Sequence, residues 1–220
     1  MILIDTVYQK VLTFANKEQR GYITPQQFNL FADMAQKEIF EQYFYDLNQI
    51  ARVPGRSEEY SDTTHNLNEK VAIFETTGVG VVLDPLLYRL GTVMSGGIEV
   101  EEVQQNELLS MNQSYLTAPK ENRRVYVRTG ENTIDVTPPP ITAVTYTYVK
   151  APSKPSWSYV VINERAMYDS SNTNNFDLHQ AEESELVYRI LAFAGISMKK
   201  PDITQAAVGM ETAKQQQEKQ

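Results

Sequence analysis

The sequence contains no cysteine and only two histidines among its 220 residues. The lack of cysteine excludes disulfide bonds, thiolate nucleophiles and cysteine-based zinc sites, and it is consistent with folding in a reducing cytoplasm. His65 and His179 do not have a metal-ligand spacing, such as four residues apart on one helix. Each histidine is therefore expected to be a surface or helix-capping residue.

Long apolar runs and positive charge are also scarce. No run approaches the ~18 apolar residues that a membrane-spanning helix needs. The opening segment MILIDTVYQKVL lacks a basic stretch before an apolar core, so neither a signal peptide nor a membrane anchor is expected. The 28 acidic and 20 basic residues give a net charge of −8. Because phosphate binding requires a basic surface, this charge argues against tight DNA binding.

No motif for catalysis, cofactor binding or metal binding is complete. Gly78 and Gly80 form a lone GxG without a following helix, a pattern more typical of a strand start or bulge than of a phosphate site. A calcium loop that begins at Asp169 would have Asn174 where glycine is required and Gln180 where glutamate is required. We therefore expect no enzymatic activity, no cofactor and no metal site.

Two N-terminal helices are predicted with clear boundaries. Apolar residues at three- and four-residue spacing predict an amphipathic helix from about residue 5 to residue 17. The next helix begins with Thr24 as its cap, Pro25 in its first turn and Gln27 completing a capping box. The same apolar spacing continues until Pro54, which is expected to end this helix.

This second helix carries more aromatic residues than one buried face requires. Phe31 lies on its apolar stripe, and three further rings widen the stripe, those of Phe40, Phe44 and Tyr45. Two explanations are open. Either the helix is buried on two sides within one domain, or its aromatic surface contacts another subunit.

A β-rich region follows a third, weaker helical pattern. Residues 124–128 and 133–137 flank turn residues and predict a β-hairpin. In residues 144–150, one face has Val144, Tyr146 and Tyr148 and the other has Thr145, Thr147 and Val149, which predicts a strand whose two faces can both be covered. Residues 138–140 are prolines, and we expect them at a sheet edge or corner; a ligand for a proline-recognition domain is the alternative.

Charged residues cluster by sign in the same region. The segment GIEVEEVQQNELLSMNQSYL predicts a strand that runs into a short helix. It has no basic residue, and its acids are Glu99, Glu101, Glu102 and Glu107. No partner group marks them as a catalytic acid–base pair. A small basic cluster follows beside Tyr126, and a solvated strand face is favoured for it over contact with an acidic neighbour or a nucleic-acid backbone. Its members are Lys120, Arg123, Arg124 and Arg128.

The C-terminal part returns to helical spacing. One helix has an apolar stripe between Leu186 and Ala194 and is expected to stop at Gly195. A last helix is expected to start with a capping box of Asp202 and Gln205. The sequence therefore predicts an α+β fold, with N- and C-terminal helices that form a helical bundle and a central antiparallel β-rich domain. The predicted ranges are 1–75, 76–165 and 166–220.

Three stretches occur in an order that resembles a known family. They are GYITPQQFNLFADMAQKEIFEQYF, then PPPITAVTYTYVKAPSKPSW, then FDLHQAEESELVYRILAFAGISMKKPD leading to an Ala/Gln-rich last helix. This order covers nearly the whole chain. It resembles the head-to-tail connector proteins, also called ring or adaptor proteins, of short-tailed bacteriophages, most closely those of crAss-like and related marine podoviruses.

The resemblance implies a virion structural protein without catalytic activity. Such proteins form a ring, commonly dodecameric, below the portal at the capsid vertex, where they join head to tail around the DNA channel. The implied partners are further copies of the chain, the portal protein and other tail or connector proteins, without a membrane or a small-molecule substrate. The implied location is the head-to-tail interface of the virion, after synthesis in the cytoplasm of the host bacterium.

The resemblance also implies where contacts occur. Helix-packing contacts are expected from Phe31, Phe40, Phe44 and Tyr45, and contacts of the last helix from Ile203, Ala207 and Met210. DNA is expected to pass without specific binding, and an acidic channel lining would favour this passage because no ion pairs need to break. The candidates for such a lining are Glu99, Glu101, Glu102 and Glu107. The alternative function is a free-standing adaptor or scaffold module that binds a partner helix through the aromatic surface.

Overall fold

The structure, a computed structural model, describes residues 1–17, 23–52, 62–140, 143–197, 205 and 208–213. It has the predicted α+β fold, in which helices come before and after a central β region along the sequence. The helices are α1 (Ile4–Lys17), α2 (Pro25–Arg52), α3 (Asp62–Ala72), α4 (Gln105–Asn112) and α5 (Glu183–Ser197). The strands are β1 (Glu75–Val79), β2 (Leu87–Ser95), β3 (Ile98–Glu99), β4 (Glu101–Glu102), β5 (Val125–Arg128), β6 (Ile134–Thr137), β7 (Val144–Lys150), β8 (Tyr159–Ile162) and β9 (Arg165–Tyr168). None of these helices combines the length and apolar character that crossing a membrane requires.

The chain divides into two compact units. The helical unit comprises Met1–Ile73 and Pro152–Gln220, and the β unit comprises Phe74–Ala151. The unit boundaries therefore follow residues 73 and 151, whereas the ranges predicted from the sequence end at residues 75 and 165. The second boundary differs because β8 and the start of β9 follow the β unit in sequence but belong to the helical unit.

Helix α2 begins as the sequence predicts. Thr24 Oγ1 accepts a hydrogen bond from the Gln27 N–H, and Gln27 Oε1 accepts one from the Thr24 N–H, both at 3.2 Å. This reciprocal pair is the predicted capping box. Pro25 is the first helical residue, where its missing N–H removes a donor that would have no helical partner.

The helical unit is held together by the last described helix. Helix α5 packs against α1 and α2, and α2 also contacts α3. The predicted stripe of α5 is buried in this core, as are side chains from the first two helices: Leu186, Val187, Ile190, Leu191, Ala194, Val7, Val11, Phe28 and Ile39. Contrary to prediction, α5 does not stop at Gly195 but continues to Ser197. The cost of glycine inside a helix is only about 1 kcal/mol, which packing of the neighbouring residues offsets.

Two sheets share one core in the β unit. Strands β1, β7, β2 and β3 form an antiparallel sheet in that order, and β4, β5 and β6 form the second sheet. The predicted hairpin is confirmed as β5 and β6, which pair antiparallel. Strand β4 departs from the predicted antiparallel arrangement, since it pairs with β5 in parallel. Alternate residues of β7 join the core between the sheets, namely Val144, Tyr146 and Tyr148.

Glycine and proline mark strand ends in this unit. Gly78 lies near the end of β1 in regular register with β7, and not at the strand start or bulge that the sequence predicts. A side chain at Gly78 would collide with the ring of Tyr146, so the close approach requires glycine. The three prolines follow β6, an edge strand of the second sheet, which agrees with their predicted position.

Candidate interaction surfaces

Trp157 anchors the hairpin of β8 and β9 within the helical unit. Its indole Nε1 donates a hydrogen bond to Asp5 Oδ1 at 2.9 Å, and its backbone N–H donates one to Asn29 Oδ1 at 2.8 Å. Asn29 Nδ2 donates a hydrogen bond to the Trp157 carbonyl oxygen at 3.1 Å. Because the tryptophan is buried, these bonds satisfy polar groups that would otherwise cost ~1–3 kcal/mol each.

Aromatic rings extend this anchor on both sides. The Trp157 ring lies 4.3 Å from the ring of Tyr8 in α1, and Tyr8 contacts Phe28 of α2 at 4.8 Å. On the hairpin side, Trp157 stacks on Tyr159 at 5.7 Å and on Tyr168 at 5.8 Å. These two tyrosines face each other across β8 and β9. One tryptophan therefore fixes the base of the hairpin, where the first residue of β8 pairs with the last residue of β9.

The rest of the hairpin is exposed and apolar. No residue of β8 or β9 is buried. A two-residue turn closes the hairpin at Asn163 and Glu164, whose φ angles of 49° and 63° match the twist of a tight hairpin. Four apolar side chains are between 52% and 63% exposed, and we call them the hairpin surface: Val160, Val161, Ile162 and Met167.

A groove of about 530 Å³ lies in the β unit. It brings together three of the four predicted channel acids and two members of the predicted basic cluster: Glu99, Glu101, Glu102, Arg123 and Arg124. The fourth acid, Glu107, lies exposed on α4 and does not line the groove. The groove therefore has mixed charge and is not uniformly acidic.

The groove contains one well-defined polar pair. The Tyr126 hydroxyl donates a hydrogen bond to Glu102 Oε2 at 3.1 Å. Burial, followed by the charge of Glu102 and this hydrogen bond, raises the pKa of Tyr126 to about 12. The phenol therefore acts as a hydrogen-bond donor at neutral pH and not as a base. Glu101 and Arg123 are 3.8 Å apart and well exposed, so their ion pair contributes only ~0–1 kcal/mol.

Arg189 is the centre of a buried charged cluster in the helical unit. It is 3% exposed and donates hydrogen bonds to Glu185 and to Gln42, both at 2.7 Å. Ion pairs also join it to Glu38 at 3.1 Å and to Glu211 at 3.2 Å. The arginine thus links α2, α5 and the C-terminal part of the described chain.

Acidic groups outnumber the positive charge in this cluster. Burial alone would lower the pKa of Arg189, but attraction from Glu185, Glu211 and Glu38 raises it overall. Burial also raises the pKa of Glu211. Attraction to Arg189 opposes this shift, while repulsion from Glu185 and Glu38 adds to it. Folding therefore makes the charged form of Glu211 less favourable than it is in an unfolded chain.

The aromatic residues predicted at an interface have different environments. Phe40 and Phe44 are 2% and 6% exposed, and their rings meet edge to face at 5.1 Å. These rings pack in the core of the chain itself, as expected for a helix buried on two sides. Phe31 is half-buried, whereas Tyr45 is 60% exposed and accepts a hydrogen bond from Gln49. Of the four, Tyr45 is the most available to a partner.

The predicted contacts of the last helix fall only partly within the described chain. Met210 is described and is 48% exposed. Ile203 and Ala207 lie outside the described residues, as does Asp202 of the predicted capping box. Contact of the last helix with a neighbour therefore stays a prediction.

The candidate ligand residues have local structural roles. His179 Nδ1 accepts a hydrogen bond from the Ala181 N–H at 3.2 Å, at the start of a short 3-10 turn before α5. The predicted capping role is confirmed for this histidine, and His65 is exposed on α3 as predicted. The Asp169 carboxylate accepts hydrogen bonds from its own loop, including one from the Ser171 N–H at 3.0 Å. Within the described part of the chain, no group of three potential ligands can hold a metal ion.

The hairpin surface is a feature that the sequence did not reveal. Residues 159–162 and 165–168 include β-forming side chains, and the two residues between them have the length of a tight hairpin loop. Strands with one solvent face normally alternate between apolar and polar residues. Residues 159–162 do not alternate in this way, so the sequence suggests a buried strand where the structure has an exposed one.

Comparison with known proteins adds no family assignment. The chain matches no protein-family model, and no curated protein is similar to it at a significant level. The functional argument therefore depends on the residues and geometry described above.

Proposed function

We propose that the chain is a non-enzymatic subunit of a ring in the head-to-tail connector of a short-tailed bacteriophage, below the portal and around the DNA channel. The observation that carries this proposal is the hairpin surface. Its apolar side chains are exposed on strands whose base is fixed by Trp157. Ordered, exposed apolar strands are aggregation hazards in a monomer and mark sites of association.

A second exposed apolar surface supports a ring in particular. In the β unit, Val79, Val81 and Val82 are exposed on and just after β1. A closed ring needs two different surfaces on each subunit, because each copy contacts one neighbour with one surface and the other neighbour with the second. The hairpin surface and the exposed valines of the β unit meet this requirement. The order of sequence features supplies the phage context.

The charge distribution fits passage of DNA without specific binding. A chain with a net charge of −8 repels a polyanion. Glu99, Glu101 and Glu102 are exposed and available to a channel, although Arg123 lies beside them in the groove. In this proposal the acidic residues keep DNA mobile, and Arg123 of the groove pairs with Glu101 of the same chain.

The alternative of a free-standing module that binds a partner helix has less support. It depends on an aromatic surface along α2. Two of the rings that would form that surface, Phe40 and Phe44, are buried within the chain. The remaining exposed ring, that of Tyr45, is too small a surface for a helix-binding groove.

Native mass spectrometry of the full chain tests the proposed function. The chain would be measured alone and mixed with the portal ring of the phage that encodes it, with portal alone as the control. We expect a series of species in steps of 25.1 kDa that ends at one closed size, formed alone or on the portal. A chain that stays monomeric in both samples would contradict the proposal, and a single bound copy would favour the adaptor module.

A further inference from the structure

We infer that the hairpin surface is covered by a second copy of the chain, through antiparallel pairing of its β8 with the outer edge of β1 in the neighbouring β unit. This inference rests on the proposed function and deepens it, because it names the contact that joins one ring subunit to the next. Three observations carry it: a free backbone edge on each strand, unpaired charges of opposite sign, and exposed apolar side chains on both.

Among the described strands, β8 pairs only with β9 and has one unpaired backbone edge. A hydrogen bond of 2.9 Å from the Asp169 N–H to the Ser158 carbonyl fixes which residues bond across the hairpin. Bonds alternate along an antiparallel pair, so Val160 faces β9 while the backbone groups of Tyr159 and Val161 face outward. An isolated two-stranded hairpin is only marginally stable in water. A third strand would satisfy the outward groups and pack its own side chains beside those of β8.

Strand β1 has the matching edge. Among the described strands it pairs only with β7. The hydrogen bond from the Lys150 N–H to the Phe74 carbonyl, at 2.8 Å, fixes the alternation here. The backbone groups of Glu75, Thr77 and Val79 consequently face outward, and all three residues are exposed. Strands β3 and β4 have only two residues each and offer fewer bonds. The outer edge of β6 is partly used, because the Ile134 N–H donates a hydrogen bond to the Val81 carbonyl oxygen.

Charge favours the antiparallel direction. Arg165 begins β9 and Glu75 begins β1, and neither has an ion-pair partner among the residues that the structure describes. Antiparallel pairing of β8 with β1 brings Glu75 to the tip of the hairpin, near the end of β9 that carries Arg165. Parallel pairing would separate these charges.

The outward groups define one central alignment. With Val161 opposite Thr77, Tyr159 lies opposite Val79, and each pair can exchange backbone hydrogen bonds. Val79 then covers part of the hairpin, and its own exposed side chain is covered in return. Because β8 belongs to the helical unit and β1 to the β unit, the contact is head to tail and can repeat around a ring.

Cysteine crosslinking tests this alignment. Because the natural chain has no cysteine, every disulfide must form between introduced cysteines. Val161→Cys and Thr77→Cys are made separately, and the two purified full-length variants are mixed under mild oxidation, alone and with the portal ring. Paired residues of this kind have Cα atoms ~5.5 Å apart, within the range of a disulfide. We expect a disulfide dimer of twice the 25.1 kDa chain mass from the mixture.

The matched control replaces Thr77→Cys by Gln105→Cys, which is also exposed in the β unit. We expect about tenfold less dimer from the control mixture, because the second thiol is not held at a high local concentration. Circular dichroism verifies that each variant folds. If either variant does not fold, Tyr159→Cys with Val79→Cys tests the same alignment.

Each outcome separates this inference from the proposed function. A ring that assembles without the expected disulfide would overturn the inference and leave the proposed function standing. A disulfide dimer from Val161→Cys alone would show that hairpins pair with each other, and this also overturns it. A disulfide between Val161→Cys and Thr77→Cys in a protein that never exceeds two copies would support the strand contact and contradict the ring.

Discussion

The Arg189 cluster and the hairpin surface lie in the same unit but reverse the usual positions of charged and apolar side chains. Arg189 is 3% exposed, whereas Val161 is 63% exposed. The chain satisfies the buried arginine with its own groups, including Glu185 and Gln42. Val161 is exposed, on a hairpin whose outer edges pair with no other strand in the described part of the chain. The chain thus provides partners for its buried charge but leaves apolar strand residues exposed. Such exposed apolar strands are suited to contact with another molecule.

Trp157→Ala is expected to have the largest effect on stability, because it removes the side chain that anchors the hairpin to the helices. Loss of burial and packing is expected to lower the free energy of unfolding by ~3–5 kcal/mol, and the lost Asp5 hydrogen bond adds about 1 kcal/mol. Chemical denaturation followed by circular dichroism measures the change. Val160→Ala, on the exposed part of the hairpin, is the control and should change stability by less than about 0.5 kcal/mol. Similar effects of both substitutions would refute the anchoring role.

Arg189→Met tests the buried side of the comparison. The substitution leaves three carboxylates without their cation, and we expect a loss of ~3 kcal/mol, the lower end for a broken buried pair because Glu38 stays half exposed. Arg165→Met is the matched control, since this arginine is exposed and should change stability by less than about 0.5 kcal/mol. Denaturant titration at neutral pH gives both values. Equal losses would mean that the cluster contributes no more than a surface charge.

Glu211→Gln tests how the stability contributed by the Arg189 cluster depends on pH. The pKa of Glu211 is raised in the folded chain above its ordinary value of 4.5. Its favourable contribution is thus fully present below pH 4.5 and is lost as pH rises through the raised pKa. Glutamine cannot ionise, so the variant does not lose this stability as pH rises. At neutral pH it should therefore be more stable than the natural chain by up to about 1 kcal/mol. Unfolding measured over a series of pH values checks this, and parallel profiles for both proteins would count against it.

Val161→Lys is expected to have the smallest effect on folding and the clearest effect on assembly. The side chain is exposed in the single chain, so the free energy of unfolding should change by less than about 0.5 kcal/mol. Burying a lysine between copies is unfavourable, so assembly should weaken by about tenfold or more. Leu109→Lys, at an exposed apolar position of α4, is the control. Sedimentation over a range of concentrations measures both, and unchanged assembly of the Val161 variant would contradict a contact at this surface.

The predictable parts of the fold are those encoded by neighbouring residues. The capping box of Thr24 and Gln27 is complete within four residues, and the hairpin of β5 and β6 is marked by its turn. The Arg189 cluster joins residues more than a hundred positions apart. Only Glu185, one helical turn before Arg189, was available as a local signal. The parallel pairing of β4 with β5 is likewise a long-range property that local alternation does not encode.

Exposure was the least predictable property of the candidate sites. Apolar spacing along α2 shows that Phe40 and Phe44 need cover, but not whether the cover comes from the same chain. The structure shows that it does. The apolar run at Val160 to Ile162 suggests the same need, and here the described chain provides no cover. Sequence patterns indicate which residues favour burial. Whether the same chain or another chain buries them depends on tertiary and quaternary packing.

Amide hydrogen exchange of residues 159–168, in the free chain and in the assembled ring, tests the central claim most directly. In the free chain, the amides of Tyr159 and Val161 should exchange rapidly, because their strand edge is open to water. On assembly these two amides should become strongly protected, while amides in the middle of α5 keep the protection that they already have. Rapid exchange at Tyr159 and Val161 in both states would show that no neighbour pairs with the hairpin.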